Sequence, residues 1–410
     1  MLLIRNIGLL ATAEGNAPLR GAAQHSGIRL IKDASILIND GKIQAVYENG
    51  EIPHIDGHVE QLFCRGRLVT AGLVDAHTHL VFGGWRQHEV PLKLRGASYL
   101  EILQAGGGIL NTLVATREAS EDVLYRKAGS VLDDMLAHGV TTVEAKSGYG
   151  LNIEDELKQL RVIRALNEKG GFSVVPTFMA AHAVPPEFKG DPDGYIDFIC
   201  TEILPKVAEE KLCEFVDIFC ETGVFNVEQS RKMLACAQAR GLKTKIHADE
   251  IDAIGGSALA GEIGAVSAEH LIAVDDAGIA SMARGGTTAC LLPGTSLYLG
   301  KDFAPARKFI EAGVPVAVCT DFNPGSCPSD NLQLCMNLAY LKYRMTPEEI
   351  LSAVTINAAC AVNRGDIIGT VEPGKQADLV IWDAEDLNYL VYRMGSNLAR
   401  IVIRKGEIVK

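Results

Sequence analysis

This 410-residue chain is notable first for what it lacks, and each absence removes a class of protein. No run approaches the ~18 consecutive apolar residues that a membrane-spanning helix needs. The cysteines, at 64, 200, 213, 220, 236, 290, 319, 327, 335 and 360, contain no CxxC pair. Their scatter suits reduced, buried thiols in a cytoplasmic protein better than a disulfide framework or a structural zinc knot. Positive charge is short: 39 Lys and Arg stand against 51 Asp and Glu, a net charge of −12. That balance argues against nucleic acid or an anionic membrane surface as partner. It leaves room for a small anion in a local basic pocket. No GxGxxG opens the first strand–helix repeat, which speaks against an open dinucleotide-binding sheet. The first residues, "MLLIRNIGLLATAEG", have no basic segment ahead of a long apolar one and read as a strand, not a signal peptide.

What is present is an ordinary globular composition, 48% apolar and 22% charged, with material for a large core. From residue 68 to about 360, eight strand-like runs alternate with helix-like segments. The runs are "LVTAGLVDAHTH", "VTTVEAKSGYG", "FSVVPTFMAAH", "EFVDIFCETG", "KTKIHADE", "AVSAEHL", "TTACLLPGTS" and "PVAVCTDFNPG". They are short, apolar and often β-branched, as parallel strands covered on both faces tend to be. Between them, Ser120 offers an N-cap and Val123, Leu124, Val131, Leu132, Met135 and Leu136 recur at helical spacing before Gly139. Eight such repeats imply an α/β protein, a closed (β/α)8 TIM-type barrel spanning residues 66–365. The two ends read differently. Residues 1–65 and 366–410 carry alternating apolar residues and Gly turns, including an Asp40-Gly41 hairpin signal, and imply a small β-sandwich built from both termini.

Chemistry-bearing residues gather where these strands end. In a strand, residues i and i+2 share a face, so His77 and His79 in "DAHTHL" point the same way. Two imidazoles there can share a metal ion or simply be hydrogen-bonded side chains. Further along come Lys146, Ser147 and Tyr149, then His182, Glu221, His247 with Asp249 and Glu250, Glu269 with His270, and Asp321 with Asn323. Five of the ten histidines fall at these ends, which is the rim that carries chemistry in such barrels.

The HxH pair on the first run, one His on each of the fifth and sixth, and an Asp on the eighth resemble the amidohydrolase superfamily over essentially the whole chain. The segments "VFGGWRQHE", "KSGYGL", "TFMAAHAVP", "CETGVF", "KIHADE", "AEHL" and "CTDFNPGS" are similar, within it, to the imidazolonepropionase family. The resemblance implies metal ligands at His77, His79, His247 and Asp321 and one divalent metal per subunit, zinc or iron. Three imidazoles and a carboxylate also suit either ion on chemical grounds, with a coordination position left for water. The fourth run ends in "IFCETG" without the Lys that bridges two metals in binuclear relatives. A single ion is therefore expected, with Glu221 the alternative bridge to a second. By the same resemblance the substrate is 4-imidazolone-5-propanoate, whose ring amide is hydrolysed by a metal-activated hydroxide. Glu250, His270 and Asp321 handle protons. Arg86 grips the propionate, Tyr149 and His182 donate hydrogen bonds, Glu250 also touches a ring nitrogen, and Asn323, Gly325 and Ser326 hold the product. Deamination of a related ring is the competing chemistry. A cytoplasmic homodimer is expected.

Overall fold

The computed structural model describes residues 1–52, 57–96, 107–168 and 171–410. The N-terminal part forms β1 (Leu2–Thr12), β2 (Arg29–Asn39), β3 (Lys42–Tyr47), β4 (Glu60–Phe63) and β5 (Leu68–Ala71). Eight strands follow: β6 (Leu73–Asp75), β7 (Val140–Lys146), β8 (Ser173–Ala181), β9 (Phe215–Cys220), β10 (Lys243–Ala248), β11 (Ser267–His270), β12 (Thr288–Leu291) and β13 (Val316–Val318). The chain ends with β14 (Leu379–Trp382), β15 (Ala399–Arg404) and β16 (Glu407–Ile408).

Strands β6 to β13 pair with their sequence neighbours in parallel, one after another. The ring closes just past the ends of β6 and β13. There the Asp321 N–H donates to His77 O at 3.1 Å and the His79 N–H to Phe322 O at 2.9 Å, with a parallel bridge between Thr78 and Phe322. Each of the eight strand-like runs thus contributes one barrel strand, and the (β/α)8 expectation holds.

The helices form for the local reasons expected. Glu121–Ala137 starts at Ser120, whose Oγ accepts the Val123 N–H, and has Glu121 and Asp122 against its positive end. It buries Leu124, Ala128, Val131, Leu132 and Met135, while Val123 stays exposed in the first turn. Gly139 ends it with φ +95°, packed against Val380 and Trp382 of the C-terminal segment. Val227–Gln238 begins with a reciprocal capping box between Asn226 and Gln229. No helix among the described residues is long and apolar enough to cross a membrane.

Strands from both ends of the chain combine in one sheet, ordered β16-β15-β14-β5-β1-β2-β3 with β4 also on β1. A bridge from Lys42 to Gln376 brings its far edge back, so the sheet curls round its own apolar core of Ile4, Ile7, Leu10, Ile36, Val69, Leu379 and Ile403. Asp40 and Gly41 both adopt positive φ in the β2–β3 turn, as a two-residue hairpin of this twist requires. One detail departs from the sequence reading. "LVTAGLVDAHTH" is not a single barrel strand: Leu68–Ala71 pairs with β1 and β14, and only Leu73–Asp75 enters the barrel. The switch occurs at Gly72, where a Cβ would collide with the Thr141 side chain. A side chain at Gly139 meets both obstacles at once, positive φ and the Val380–Trp382 contact. Gly139→Val is expected to cost roughly 1–3 kcal/mol, read as a lower thermal midpoint with an unchanged KM.

Candidate metal centre and active site

The closing seam is also where the predicted ligands meet. One ring nitrogen each from His77, His79 and His247 lies within 4.8 Å of the others, and His77, His270 and Asp321 form a second overlapping group on the same scale. Asp321 Oδ1 is 3.4 Å from His77 Nε2 and 3.6 Å from His79 Nε2. His247 Nε2 faces His79 Nε2 at 3.3 Å. His77 Nε2 and Asp321 Oδ1 are buried with no hydrogen-bond partner among the described residues. Buried polar atoms seldom stay unpartnered. Converging lone pairs of imidazole and carboxylate are what a divalent cation satisfies, so the residues fit the group. Burial, followed by Lys146 and the neighbouring imidazoles, pushes the His77 pKa well below its ordinary value. Burial and then His182 do the same for His79. Both rings are therefore held neutral, the form that ligates. His270 and Asp321 both sit at positive φ, at 68° and 56°, in non-glycine strain of the sort that collects at functional sites.

Behind the ligands lies a fully buried ionic layer at the inward positions of the strands. Asp217 Oδ2 is 3.0 Å from His247 Nδ1, and Glu269 Oε2 is 3.3 Å from His77 Nδ1. Neither contact lies along an aligned N–H axis. Lys146 Nζ sits 2.7 Å from Glu144 and 2.9 Å from Asp217. Burial alone would discharge Lys146, but Asp217, Glu144 and Glu269 outweigh it and raise its pKa. Burial likewise opposes the Asp217 carboxylate, yet His247 and Lys146 hold it well below the usual range. Thr295 Oγ1 donates to Asp321 Oδ2 at 2.6 Å, which leaves Oδ1 turned toward the imidazoles. Asp217 and Thr295 escaped the sequence reading. A lone carboxylate inside the apolar run "EFVDIFC" was the available signal for the first; nothing marked the second.

The residues expected around the substrate converge on the same mouth, with roles the structure refines. His182 stacks on His79 with centroids 4.7 Å apart, and Tyr149 lies 5.2 Å from His182. His182 Nδ1 donates to Gly148 O at 3.0 Å. Burial, then His247, lowers its pKa to about 3. The neutral ring with hydrogen on Nδ1 presents Nε2 as an acceptor, not the donor expected from sequence. Glu250 Oε2 is 3.6 Å from His270 Nε2. Arg86 lies against Gly325, where any Cβ would collide with Nη1. Asn323 spends its amide on its own loop: Nδ2 donates to Asp321 O and Ser326 Oγ, and Oδ1 accepts from the Gly325 and Ser326 N–H groups. Asn323 and Ser326 thus shape the loop that carries Gly325. Glu221 is not arranged as a metal bridge. Its carboxylate accepts N–H groups of Thr222, Glu250, Ile251 and Asp252 and so fixes the loop bearing Glu250. Glu156 does the same for the Tyr149 loop, accepting from Gly148, Gly150 and Leu151.

Residues 68–409 match the model of the amidohydrolase family. Among curated proteins, the chain is 50% identical over 407 residues to the imidazolonepropionase of Thermoanaerobacter pseudethanolicus, covering 99% of this chain and 97% of that one. It is 48% identical over 408 residues to the imidazolonepropionase of Bacillus cytotoxicus, covering 99% and 96%. Among solved structures it is similar to 5-methylcytosine deaminase from Klebsiella pneumoniae liganded with phosphonocytosine, with TM-score 0.75, 17% identity and 100% and 98% coverage. It is also similar to atrazine chlorohydrolase TrzN from Arthrobacter aurescens complexed with zinc, with TM-score 0.72, 19% identity and 100% and 95% coverage. At those identities the solved structures speak for the fold alone.

Two outcomes are expected at the metal centre. Asp217→Asn should weaken metal binding by about 10–100-fold, since outer partners set the orientation and basicity of a ligating imidazole; equilibrium dialysis against a chelator measures it. The second concerns pH. Lowered pKa values mean that His77 and His79 have lost their protons well below pH 6.5. These two rings should then impose no proton competition between pH 6 and 8, whereas exposed imidazoles would lose affinity as pH falls through about 6.5. Metal competition titrations at the two pH values test this.

Proposed function

The chain belongs to the amidohydrolase family and, within it, to the imidazolonepropionases, and from that premise we propose the following account of its reaction, hydrolysis of the ring amide of 4-imidazolone-5-propanoate to N-formimidoyl-L-glutamate in histidine degradation. The observation that carries it is the 50% identity over 407 residues with a relative named for this activity. The buried ligand cluster beside an arginine-lined mouth supports it.

We assign His77, His79, His247 and Asp321 as ligands of one divalent ion per subunit, zinc or iron. When bound, such an ion polarises a carbonyl and makes water nucleophilic near neutral pH. The chain's own residues supply the rest. Arg86 holds the propionate carboxylate through its guanidinium. His182 Nε2 accepts a ring N–H, and Tyr149 donates its phenol hydrogen. Burial and then Asp321 keep that phenol's pKa above its ordinary value, so the hydrogen stays in place. Asp321 takes a proton from the attacking water as a C–O bond forms at the ring carbonyl. The ring C–N bond then breaks, and Glu250 relays the proton taken up by Asp321 to the departing nitrogen, which returns both carboxylates to their starting state. His270, 3.6 Å from Glu250, orients the water and the carboxyl group. Gly325 and its loop, shaped by Asn323 and Ser326, receive the product. The free cysteines suit a reducing, cytoplasmic setting, and we read the enzyme as a homodimer.

Zinc- or iron-loaded protein is expected to consume 4-imidazolone-5-propanoate, followed as loss of its ultraviolet absorbance, without releasing ammonia. Ammonia released in step with substrate loss would replace ring opening by deamination. No loss at all would retire this substrate.

A further inference from the structure

Glu89 lies one turn beyond Arg86 and is wholly buried, although it is a carboxylate near the mouth of the site. Burying a charge there is costly unless it is paired and hydrogen-bonded. Its Oε1 accepts Arg86 Nε at 2.7 Å and the Gly108 N–H at 2.7 Å. Its Oε2 accepts Arg86 Nη2 at 3.0 Å and lies 3.4 Å from Lys93 Nζ. Lys93 Nζ in turn reaches Gly325 O at 3.4 Å. The Nε–Nη2 edge of Arg86, one of the two faces on which a guanidinium can take a carboxylate, is therefore occupied from within the protein. The other edge, Nη1 with the second hydrogen of Nη2, has no side-chain partner among the described residues, and Nη1 is the atom lying against Gly325. Gly325 is four residues from the ligand Asp321 and beside Phe322, on which Phe82 and Trp85 pack.

We infer that Glu89 is a positioning residue: it clamps the inner edge of Arg86 and so turns the outer edge toward the substrate carboxylate at Gly325. Among the described residues, Arg86 and Lys93 share one buried Glu89, which leaves one positive charge over, a match for a single carboxylate. Glu89 is not a stand-in that the substrate displaces, because Gly108 and Lys93 hold it independently of Arg86. The inference rests on the reading that Arg86 binds the propionate.

The test compares steady-state kinetics of the metal-loaded wild type, Glu89→Gln and Arg86→Met on 4-imidazolone-5-propanoate and on its neutral propionamide analogue. Glu89→Gln should raise KM for the propionate about tenfold with kcat within about twofold, and leave KM for the amide unchanged. An unchanged or lowered KM for the propionate overturns the inference; a lowered value would mean that Glu89 competes for Arg86. Equal losses on both compounds also overturn it, since they mark a purely structural role. Arg86→Met separates the two readings. If it leaves KM for the propionate unaltered, the carboxylate assignment itself fails. If it raises that KM while Glu89→Gln does not, only the positioning role fails. Should Glu89→Gln not fold, Glu89→Asp keeps the charge but is too short to span Arg86 and Gly108. It should show the same selective rise in KM, and a wild-type KM there overturns the inference.

Discussion

The barrel closes through a few backbone hydrogen bonds, and those bonds also assemble the metal site. Asp321 N–H to His77 O and His79 N–H to Phe322 O join the last strand to the first. Of the four residues so joined, three, His77, His79 and Asp321, are proposed ligands. Their side-chain separations are thus set by main-chain register, not by an ion that gathers flexible arms. In small zinc domains, metal binding and folding are one event, because no site exists beforehand. Here a large apolar core surrounds a ring of parallel strands, and folding that core delivers the ligands already placed. The tension that remains is local: neutral imidazole lone pairs and a carboxylate face one another in a buried space. Positive φ at His270 and Asp321 marks the same place.

Around that centre one device recurs. A buried carboxylate accepts backbone N–H groups from a loop, several at Glu221 and Glu156 and one at Glu89, and thereby helps to fix one side chain nearby. Glu221 holds the loop of Glu250, Glu156 the loop of Tyr149, and Glu89 takes Gly108 together with Arg86. Loops ordinarily carry the variable and mobile parts of a barrel enzyme. Charged acceptors make stronger hydrogen bonds than neutral ones, and inside a protein their strength is not shared with water. Each loop is then held by a group that would be expensive to leave unpaired, so it has few alternative arrangements. The excess of acidic residues in the chain is partly spent in this way, on backbone donors, instead of on repelling an anionic substrate.

Much of this was legible beforehand, for a physical reason. Parallel strands need short apolar runs, intervening helices need caps and periodic apolar residues, and metal ligands need imidazoles and carboxylates at strand ends; all three leave marks in local sequence. What stayed hidden depends on partners far away in the chain. Nothing in "LVTAGLVDA" reveals that Leu68–Ala71 pairs with a strand from the C-terminus, because both sheets demand the same apolar run. Thr295 is an ordinary residue until Asp321 lies beside it. Glu221 and Asn323 have the chemistry of ligands or contacts, and only the folded loops show their oxygens and amide hydrogens already in use. Residue type reports what a side chain can do, while its hydrogen bonds decide what capacity is left.

That distinction also orders the electrostatics of the site. At its base, the lysines are already paired with carboxylates: Lys146 lies between Glu144 and Asp217, and Lys245 reaches toward Glu269 at 3.8 Å. In the middle, burial keeps His77, His79 and His182 neutral, so their nitrogens act as lone-pair donors to a metal or acceptors for a ring N–H. At the mouth, Arg86 and Lys93 outnumber Glu89 by one charge. A substrate with a carboxylate at one end and a polar ring at the other meets a gradient that can orient it before any chemistry begins. On the proposed reading, the carboxylate is drawn to the mouth and the ring is left facing the neutral imidazoles. Reversed, the carboxylate would enter a low-dielectric layer whose lysines are already paired, with no donor left to replace its water. On that reading orientation follows from where the described residues leave charge uncompensated, and on a protein of net charge −12 the relevant excess is a single positive unit at one rim.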